Sequence, residues 1–229
     1  MSSERREFRR GAWEMAPLAV GYAPFGLLVG AAVSRSPDPL AGWSGTLTIY
    51  GGSAHLAVLD LLARGAPAGL VIATGALVNA RLLVYSMALA PLWAGARWPW
   101  RLAAAAMVVD PVWMLAQRRA LDPGSLRARR AHFLGCGAAL AGTWLLWVST
   151  GAVLGSASAG AMPLSVAVPL CLASMVVPHL RVPGGWAAVG AAAVVQVVTR
   201  SWPPGSGLLL AMVLAALAGS AGSREGRRP

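Results

Sequence analysis

The chain has 229 residues, of which 57% are apolar and 12% charged, and its mean hydropathy is +0.62. Soluble domains carry about 25% charged residues, so this composition argues against a water-soluble enzyme or binding module. The net charge of +11 comes from arginines that lie mainly in short segments between apolar runs. That placement is typical of membrane insertion and argues against a nucleic-acid partner. We therefore predict an all-α polytopic integral membrane protein in a lipid bilayer.

Eight apolar segments are candidate membrane spans, because a helix needs about 20 apolar residues to cross the hydrocarbon core. We place them at residues 15–34, 41–63, 67–94, 102–117, 132–154, 163–180, 185–199 and 205–221. The fourth and the last three are short or interrupted by proline, so 7–8 transmembrane helices are predicted. Adjacent glycines weaken a helix by roughly 1 kcal/mol each, which predicts a broken helix near Gly51–Ser53 in the second span.

The spans divide the chain into five regions. We predict a basic cytoplasmic N-terminus (1–13), an N-terminal transmembrane half with the polar motifs (14–117), an Arg-rich cytoplasmic loop (118–131), a C-terminal transmembrane half (132–222) and a basic cytoplasmic tail (223–229). With eight spans and the N-terminus inside, cytoplasmic segments hold fourteen arginines and outside segments hold four, which are Arg35, Arg97, Arg101 and Arg200. This asymmetry predicts that both termini are cytoplasmic.

Three polar residues are predicted near the middle of the membrane. At 1.5 Å per residue, Arg81 lies about 20 Å into the third span, and Asp110 lies about 12 Å into the fourth from the opposite side. His55 reaches a similar depth in the second span. An isolated charge there costs at least about 2.5–3.5 kcal/mol, so we expect Arg81 and Asp110 to pair. The pair is either purely structural or part of a transport path, and His55 is either a packing residue or functional.

Four motifs follow one another along the first half of the chain. They are PFGL (Pro24–Leu27), YGGSAHLA (Tyr50–Ala57), VNARLLVYSMALAP (Val78–Pro91) and VVDPVW (Val108–Trp113). In this order they resemble the AzlC family, the large subunit of the branched-chain amino acid exporters of the LIV-E class. The second half of the chain is similar to the family only in hydropathy and length.

The resemblance implies a function and a partner. It implies export of valine, leucine, isoleucine and methionine across the bacterial cytoplasmic membrane, together with a small AzlD-like membrane subunit. The chain departs from the family pattern at His55 in place of Gln, Leu82 in place of His and Pro111 in place of Glu. The positions that match the family motifs are Gly52, Ser53, Ala54, Asn79, Arg81, Tyr85, Ser86 and Asp110.

These positions and the depth estimate together predict a site for a small zwitterionic amino acid. Arg81 and a helix that restarts near Ser53 would bind the carboxylate, since transporters use broken helices in this way. Asp110 would bind the ammonium or hold Arg81, and Leu, Val and Trp113 would accept the side chain. His55 and Asp110 are the candidates for ion coupling, because arginine stays protonated. The predicted substrate-binding residues are Gly52, Ser53, Asn79, Arg81, Tyr85 and Asp110.

Three alternatives to a secondary transporter stay open. A permease subunit of an ATP-driven transporter would need a separate ATPase, because the chain has no GxxxxGK[ST] motif. An intramembrane enzyme is disfavoured, because neither HExxH nor GxSxG occurs. A non-transporting assembly subunit is the third alternative. We accordingly predict no enzymatic activity, no catalytic residue, no cofactor and no metal site.

Overall fold

The computed structural model describes residues 3–157, 180, 184–201, 210, 211, 214, 215, 217 and 218. The described residues form helices joined by short turns, without a β-strand, which confirms the predicted all-α fold for this part of the chain. Predicted spans 163–180 and 205–221 lie largely outside the described residues, and the tail 223–229 lies wholly outside them. The helices with defined bounds are α1 (Ser3–Gly21), α2 (Ala23–Ser34), α3 (Pro39–Thr48), α4 (Gly52–Ala63), α5 (Ala68–Asn79), α6 (Arg81–Leu89), α7 (Trp98–Ala106), α8 (Asp110–Leu121), α9 (Leu126–Ala157) and α10 (Gly185–Val198).

The chain forms two compact units. Residues Met1–Leu56 and Val78–Ala159 make up the first unit, and Ala57–Leu77 and Gly160–Pro229 make up the second. Every predicted site residue belongs to the first unit. The Arg-rich segment 118–131 is mostly helical, because α8 ends at Leu121 and α9 begins at Leu126.

Fewer helices could cross a membrane than the sequence predicts. Among the described residues, only α9 is long and apolar enough by itself, with 32 residues. Two more spans are possible if α1 with α2, and α5 with α6, each count as one bent span. The described part of the chain thus supplies at most three spans by this criterion, fewer than the predicted 7–8 transmembrane helices. The reason is that each of the first four predicted spans consists of two helices.

Helix α9 is the element against which α1 and α2 pack. Both helices run in the same direction as α9, and glycines let the backbones approach closely. Gly135 lies against the backbone of Phe8 in α1, and Gly151 lies against the backbone of Leu27 in α2. A larger side chain at either glycine would push the helices apart, so these glycines set the position of α1 and α2.

The four helix breaks have different local causes. Pro24 and Pro111 stand in the first turns of α2 and α8, where proline is favoured because its missing N–H is not needed. Between α3 and α4, Tyr50 adopts a left-handed backbone with φ of 41°. This confirms the predicted break next to Gly51–Ser53. Only Ala80 separates α5 from α6, and no residue that disfavours a helix marks this point.

Helices α3 and α4 form a hairpin. The Nε2 atom of His55 in α4 lies 2.8 Å from the carbonyl oxygen of Gly42 in α3. These residues are 13 apart in sequence, a separation that would place them about 20 Å apart along one continuous helix. The first turns of α4 therefore fold back along α3, and the predicted span 41–63 is not a single crossing.

The α3–α4 hairpin lies along the C-terminal half of α9. At its open end the indole of Trp43 donates a hydrogen bond of 3.1 Å to Ser149. At its tip Gly52 lies against Trp144, nearer to the middle of α9. The hairpin therefore enters from the C-terminal end of α9 and turns near its middle.

Helices α7 and α8 form a second hairpin that enters from the other end of α9. Trp100 in α7 lines a cavity together with Arg130 in α9, and the carbonyl oxygen of Asp122, directly after α8, accepts a 3.1 Å hydrogen bond from Arg129. Residues 100 and 122 would be about 33 Å apart in a straight helix, yet both lie beside the first turns of α9. The predicted span 102–117 is therefore also a hairpin.

This second hairpin corrects one prediction about the arginines. Arg97, at the start of α7, lines the same cavity as Glu4 of α1. The two residues are therefore at the same end of the first unit, whereas the eight-span reading placed Arg97 opposite the N-terminus. The error follows from counting the first hairpin, predicted span 41–63, as a crossing, because this assigned the following span 67–94 the wrong direction.

The first eight helices repeat at a constant offset. Helix α4 starts and ends 58 residues before α8, as the differences between 110 and 52 and between 121 and 63 show. The same offset relates the ends of α1 and α5, the starts of α2 and α6, and the ends of α3 and α7. Each half therefore contains a bent helix pair followed by a hairpin.

The two halves point in opposite directions along α9. Helix α2 leads toward the C-terminal end of α9, where Ala31 lies against Gly155. Helix α6 leads toward the N-terminal end, where Trp93 packs edge-on against Phe133 with 5.5 Å between ring centroids. The two hairpins also enter from opposite ends. Within the first unit, α2 with the tip of the first hairpin and α6 with the second hairpin are thus related as an inverted repeat, an arrangement found in many transporters.

The packing of α2 on α9 predicts opposite effects for two glycine substitutions in α9. In Gly151→Ala the new Cβ would lie 2.7 Å from Leu27 Cα, and such overpacking costs about 1–3 kcal/mol. In Gly142→Ala no atom lies within 4 Å, and alanine favours the helix by up to about 1 kcal/mol. Thermal unfolding of the purified chain should show a lower midpoint for Gly151→Ala only. Equal midpoints for the two variants would contradict the close packing of α2 on α9 at Gly151.

Candidate functional site

The centre of the candidate site is an ion pair between α6 and α8. Arg81 Nη2 lies 3.1 Å from Asp110 Oδ2, which confirms that the two predicted partners meet. The same Nη2 makes a longer contact of 3.4 Å with Ser53 Oγ at the start of α4. Tyr85 Oη, one turn after Arg81, donates a 2.9 Å hydrogen bond to Asp110 Oδ1. Four of the predicted site residues therefore form one hydrogen-bonded group.

Three helices begin at this group. Helix α4 starts at Gly52, α6 at Arg81 and α8 at Asp110. The first N–H groups of a helix have no partner within it, and the helix dipole makes this end positive. The convergence of three such ends beside a guanidinium favours an anion, and Asp110 supplies one in this structure.

The ion pair is accessible from outside the protein. The side chain of Arg81 is 46% exposed and that of Asp110 is 40% exposed. Arg81 has few protein partners, which are Asp110 and Ser53 among the described residues. A small molecule can therefore reach both charges and can compete for either one.

Asn79 holds the tip of the α3–α4 hairpin. Its Nδ2 donates a 2.9 Å hydrogen bond to the carbonyl oxygen of Ile49, which the helix break deprives of a helical partner. Its Oδ1 is buried without a protein partner and faces Gly51, where a Cβ would collide with it. Asn79 therefore positions the backbone at the site and leaves one acceptor free.

Gly51 and Gly52, at the tip of this hairpin, provide space for neighbouring side chains. The sequence indicates helix breaking by Gly51 and Gly52, but the left-handed backbone is found at Tyr50 instead. A Cβ on Gly52 would lie 2.7 Å from the ring of Trp144 and against Phe25. These two rings pack together with centroids 5.8 Å apart. Gly52 therefore allows an aromatic pair to approach the start of α4.

His55 is placed inside the hairpin and not in the hydrogen-bonded group. Its side chain is 2% exposed, and its Nε2 is held by the Gly42 carbonyl, against Gly45. Its Nδ1 has no protein partner. The structure gives His55 a bracing contact, and its role in ion coupling stays a prediction.

Two stacked aromatic residues, Tyr85 and Trp113, lie beside the ion pair, in addition to the Phe25–Trp144 pair. Tyr85 stacks on Trp113 with centroids 4.7 Å apart and planes at 18°, and the same Tyr85 donates to Asp110; the predicted contact of Trp113 with a substrate side chain stays a prediction. The Nε1 of Trp113 is buried without a protein partner. Ser86, by contrast, lines a separate cavity with Trp98.

Sequence reasoning missed part of the site. Phe25 and Trp144 were not among the predicted residues, and neither was the Tyr50 hydroxyl, which is buried without a protein partner. The motif PFGL contains Phe25, and this was the available signal for it. For Trp144 no local signal exists, because it comes from the separate helix α9.

The role of Asn79 predicts a cost for its removal. Asn79→Ala would leave the Ile49 carbonyl without its donor, and an unsatisfied buried group costs about 1–3 kcal/mol. The matched control is Ser156→Ala, because Ser156 Oγ donates only to Val153 of its own helix on an exposed surface. Thermal unfolding followed by circular dichroism should show a lower midpoint for Asn79→Ala and an unchanged one for the control. A midpoint of Asn79→Ala equal to that of the unmodified chain would contradict the positioning role.

Comparison with known proteins assigns the family. The family described as AzlC protein matches residues 17–157, a range that contains both hairpins and the whole hydrogen-bonded group. No curated protein and no solved structure matches the chain. The chain belongs to the AzlC family, a family of membrane transporters generally associated with branched-chain amino acids.

Proposed function

We propose that this protein is a secondary transporter that exports branched-chain and related amino acids, namely valine, leucine, isoleucine and methionine, across the bacterial cytoplasmic membrane. The observation that carries the proposal is the accessible Arg81–Asp110 pair at the meeting point of three helix starts. A charge pair and unpaired helix N–H groups match the two charged ends of an amino acid.

The carboxylate binds at Arg81. A guanidinium offers a planar fork of donors that suits a carboxylate, and the start of α4 beside Ser53 adds N–H groups and a positive dipole end. The ammonium group binds at Asp110, whose carboxylate already accepts a hydrogen bond from Tyr85. In the empty site, Asp110 neutralises Arg81.

Charge balance favours a zwitterion over a simple anion or cation. A zwitterion can insert between Arg81 and Asp110 and give each charge a new partner, so the site gains no net charge. A monoanion would take Arg81 and leave Asp110 unpaired, and an amine would do the reverse. Unpaired charges at membrane depth cost several kcal/mol, so substrates with both groups are preferred.

Aromatic walls supply the apolar part of the site. The Tyr85–Trp113 stack lies next to Asp110, and the Phe25–Trp144 pair lies against Gly52 at the start of α4. Branched aliphatic side chains bury apolar area against such rings at roughly 25 cal/mol per Å². These walls support a preference for apolar amino acids.

The inverted repeat supports a transport cycle. Ser53 stands at the tip of the hairpin that enters from the C-terminal end of α9, and Asp110 stands at the tip of the hairpin that enters from the N-terminal end. Each hairpin thus contributes one group to a central site, as in transporters that bind substrate at the interface of their repeats. Movement of one hairpin or the other would open the site alternately to the two sides.

Coupling, orientation and partner complete the proposal. Asp110 is the better placed of the two candidates for ion coupling, because it belongs to the hydrogen-bonded group and His55 does not. The N-terminal end of α9 faces the cytoplasm, in agreement with the arginines at that end, among them Arg97, Arg127 and Arg130. A small AzlD-like membrane subunit completes the working transporter.

Efflux of labelled valine tests the proposal. Cells without a branched-chain exporter of their own would express the chain with and without the AzlD-like subunit and be preloaded with labelled valine. Efflux should require both subunits and stop when ion gradients are dissipated, but persist when ATP is depleted. Arg81→Ala should reduce the rate at least tenfold, because a hydrogen bond to a charged group contributes about 1.5–3 kcal/mol.

Two further variants sharpen this experiment. Arg81→Lys keeps the charge but loses the planar fork, so it should export at an intermediate rate. Arg118→Ala removes an exposed arginine of α8 and should export normally. Export by Arg81→Ala at the unmodified rate, with equal amounts of protein in the membrane, would contradict the proposed site. Valine efflux that depends on ATP alone would contradict secondary transport.

A further inference from the structure

A cavity with several arginines in its lining lies at the N-terminal end of α9, away from the hydrogen-bonded group. It has a volume of about 400 Å³ and lies among α1, the segment between α6 and α7, and α9. Its charged and aromatic lining residues are Glu4, Trp93, Arg97, Trp100, Arg127 and Arg130. Three arginines face one carboxylate, so the cavity has a net positive charge.

Arg130 is fixed in this cavity by the backbone. Its Nε donates a 2.8 Å hydrogen bond to the carbonyl oxygen of Leu92, and its Nη2 donates one of 2.7 Å to that of Ala94. Its guanidinium also lies 5.6 Å from the ring centroid of Trp93. Two of its three nitrogens are thereby occupied, and Nη1 remains for another acceptor. The side chain is preorganised, which reduces the entropy lost on binding.

The cavity has more donors than acceptors. The guanidinium groups of Arg97 and Arg127 make no ion pair or hydrogen bond within the described part of the chain. Trp93 is 8% exposed, and its Nε1 is buried without a protein partner. Against the guanidinium donors of Arg97, Arg127 and Arg130 the lining offers one carboxylate, that of Glu4. A ligand that satisfies the lining therefore has negative charge and several oxygen acceptors, as a phosphate group has.

A second, apolar cavity shares a wall with the first. It has a volume of about 460 Å³ and includes Trp93 in its lining. It extends between α6 and α7 along Leu89, Leu102 and Val108, and Arg101 is its one charged lining residue. Each cavity falls in the range of about 300–1,000 Å³ that is usual for small-molecule sites. A ligand that occupies both must carry an anionic group at one end and a hydrocarbon chain at the other.

The geometry points to an anionic phospholipid as this ligand, with its phosphate among Arg97, Arg127 and Arg130 and an acyl chain along the α6–α7 cavity. Basic pockets at the cytoplasmic side of membrane proteins bind anionic headgroups, and exposed tryptophans such as Trp100 favour the headgroup region. The inference goes beyond amino acid transport and rests on the proposed membrane location, with the N-terminal end of α9 at the cytoplasmic side. The lipid would hold α7 against α9 at the base of the second hairpin.

Thermal unfolding in detergent tests this site. The full chain would be titrated with phosphatidylglycerol, phosphatidylcholine or sodium phosphate, and the unfolding midpoint would be recorded. Phosphatidylglycerol should raise the midpoint with increasing concentration, phosphatidylcholine should raise it less, and sodium phosphate should leave it unchanged. In an Arg97→Ala/Arg127→Ala double variant the apparent affinity for phosphatidylglycerol should fall by about fivefold for each arginine lost.

Arg118→Ala is the matched control, because it removes one exposed positive charge of α8 outside both cavities. Its response to phosphatidylglycerol should equal that of the unmodified chain. If the double variant does not fold, Arg127→Gln and native mass spectrometry of retained phosphatidylglycerol provide the same comparison. Equal protection by sodium phosphate or phosphatidylcholine would overturn the assignment. An equal loss of affinity in Arg118→Ala would also overturn it.

Discussion

The ion pair between Arg81 and Asp110 is the interaction on which the account of this protein depends. It joins the start of α6 to the start of α8 at 3.1 Å. It therefore connects α6 to the tip of the second hairpin. Ser53 at the tip of the first hairpin contacts the same guanidinium. A guanidinium cannot lose its charge, so whatever approaches this point must satisfy it. Asp110, at the start of α8, supplies the opposite charge at this point.

The pairing of Arg81 with Asp110 could be predicted from rise per residue, because both charges are far from the ends of apolar runs. The hairpins could not, because hydropathy does not distinguish one crossing from two short apolar helices that fold back. The repeat could not be predicted from the sequence either. Helices α4 and α8 have the same length and an offset of 58 residues, yet glycine stands at the start of one and aspartate at the start of the other. Helix boundaries recur without recurrence of side chains, so sequence comparison by eye does not detect them.

The glycines next to Tyr50 show a second limit of sequence reasoning. Helix propensity correctly indicated a break, but the strained backbone is at Tyr50, and the glycines provide clearance for Asn79 and Trp144. Clearance depends on residues that are distant in sequence, so no local pattern reveals it. It also links stability to function, since the side chains that require this space surround the proposed substrate.

The most direct test of the central claim is calorimetric binding of valine and of two truncated analogues to the purified chain. Isovalerate lacks the ammonium group, and isobutylamine lacks the carboxylate. If a zwitterion inserts between Arg81 and Asp110, each analogue should bind more than about tenfold more weakly than valine, because a lost hydrogen bond to a charged group costs about 1.5–3 kcal/mol. Binding of isobutylamine as tight as that of valine would show that Arg81 does not hold the carboxylate, and would contradict the account.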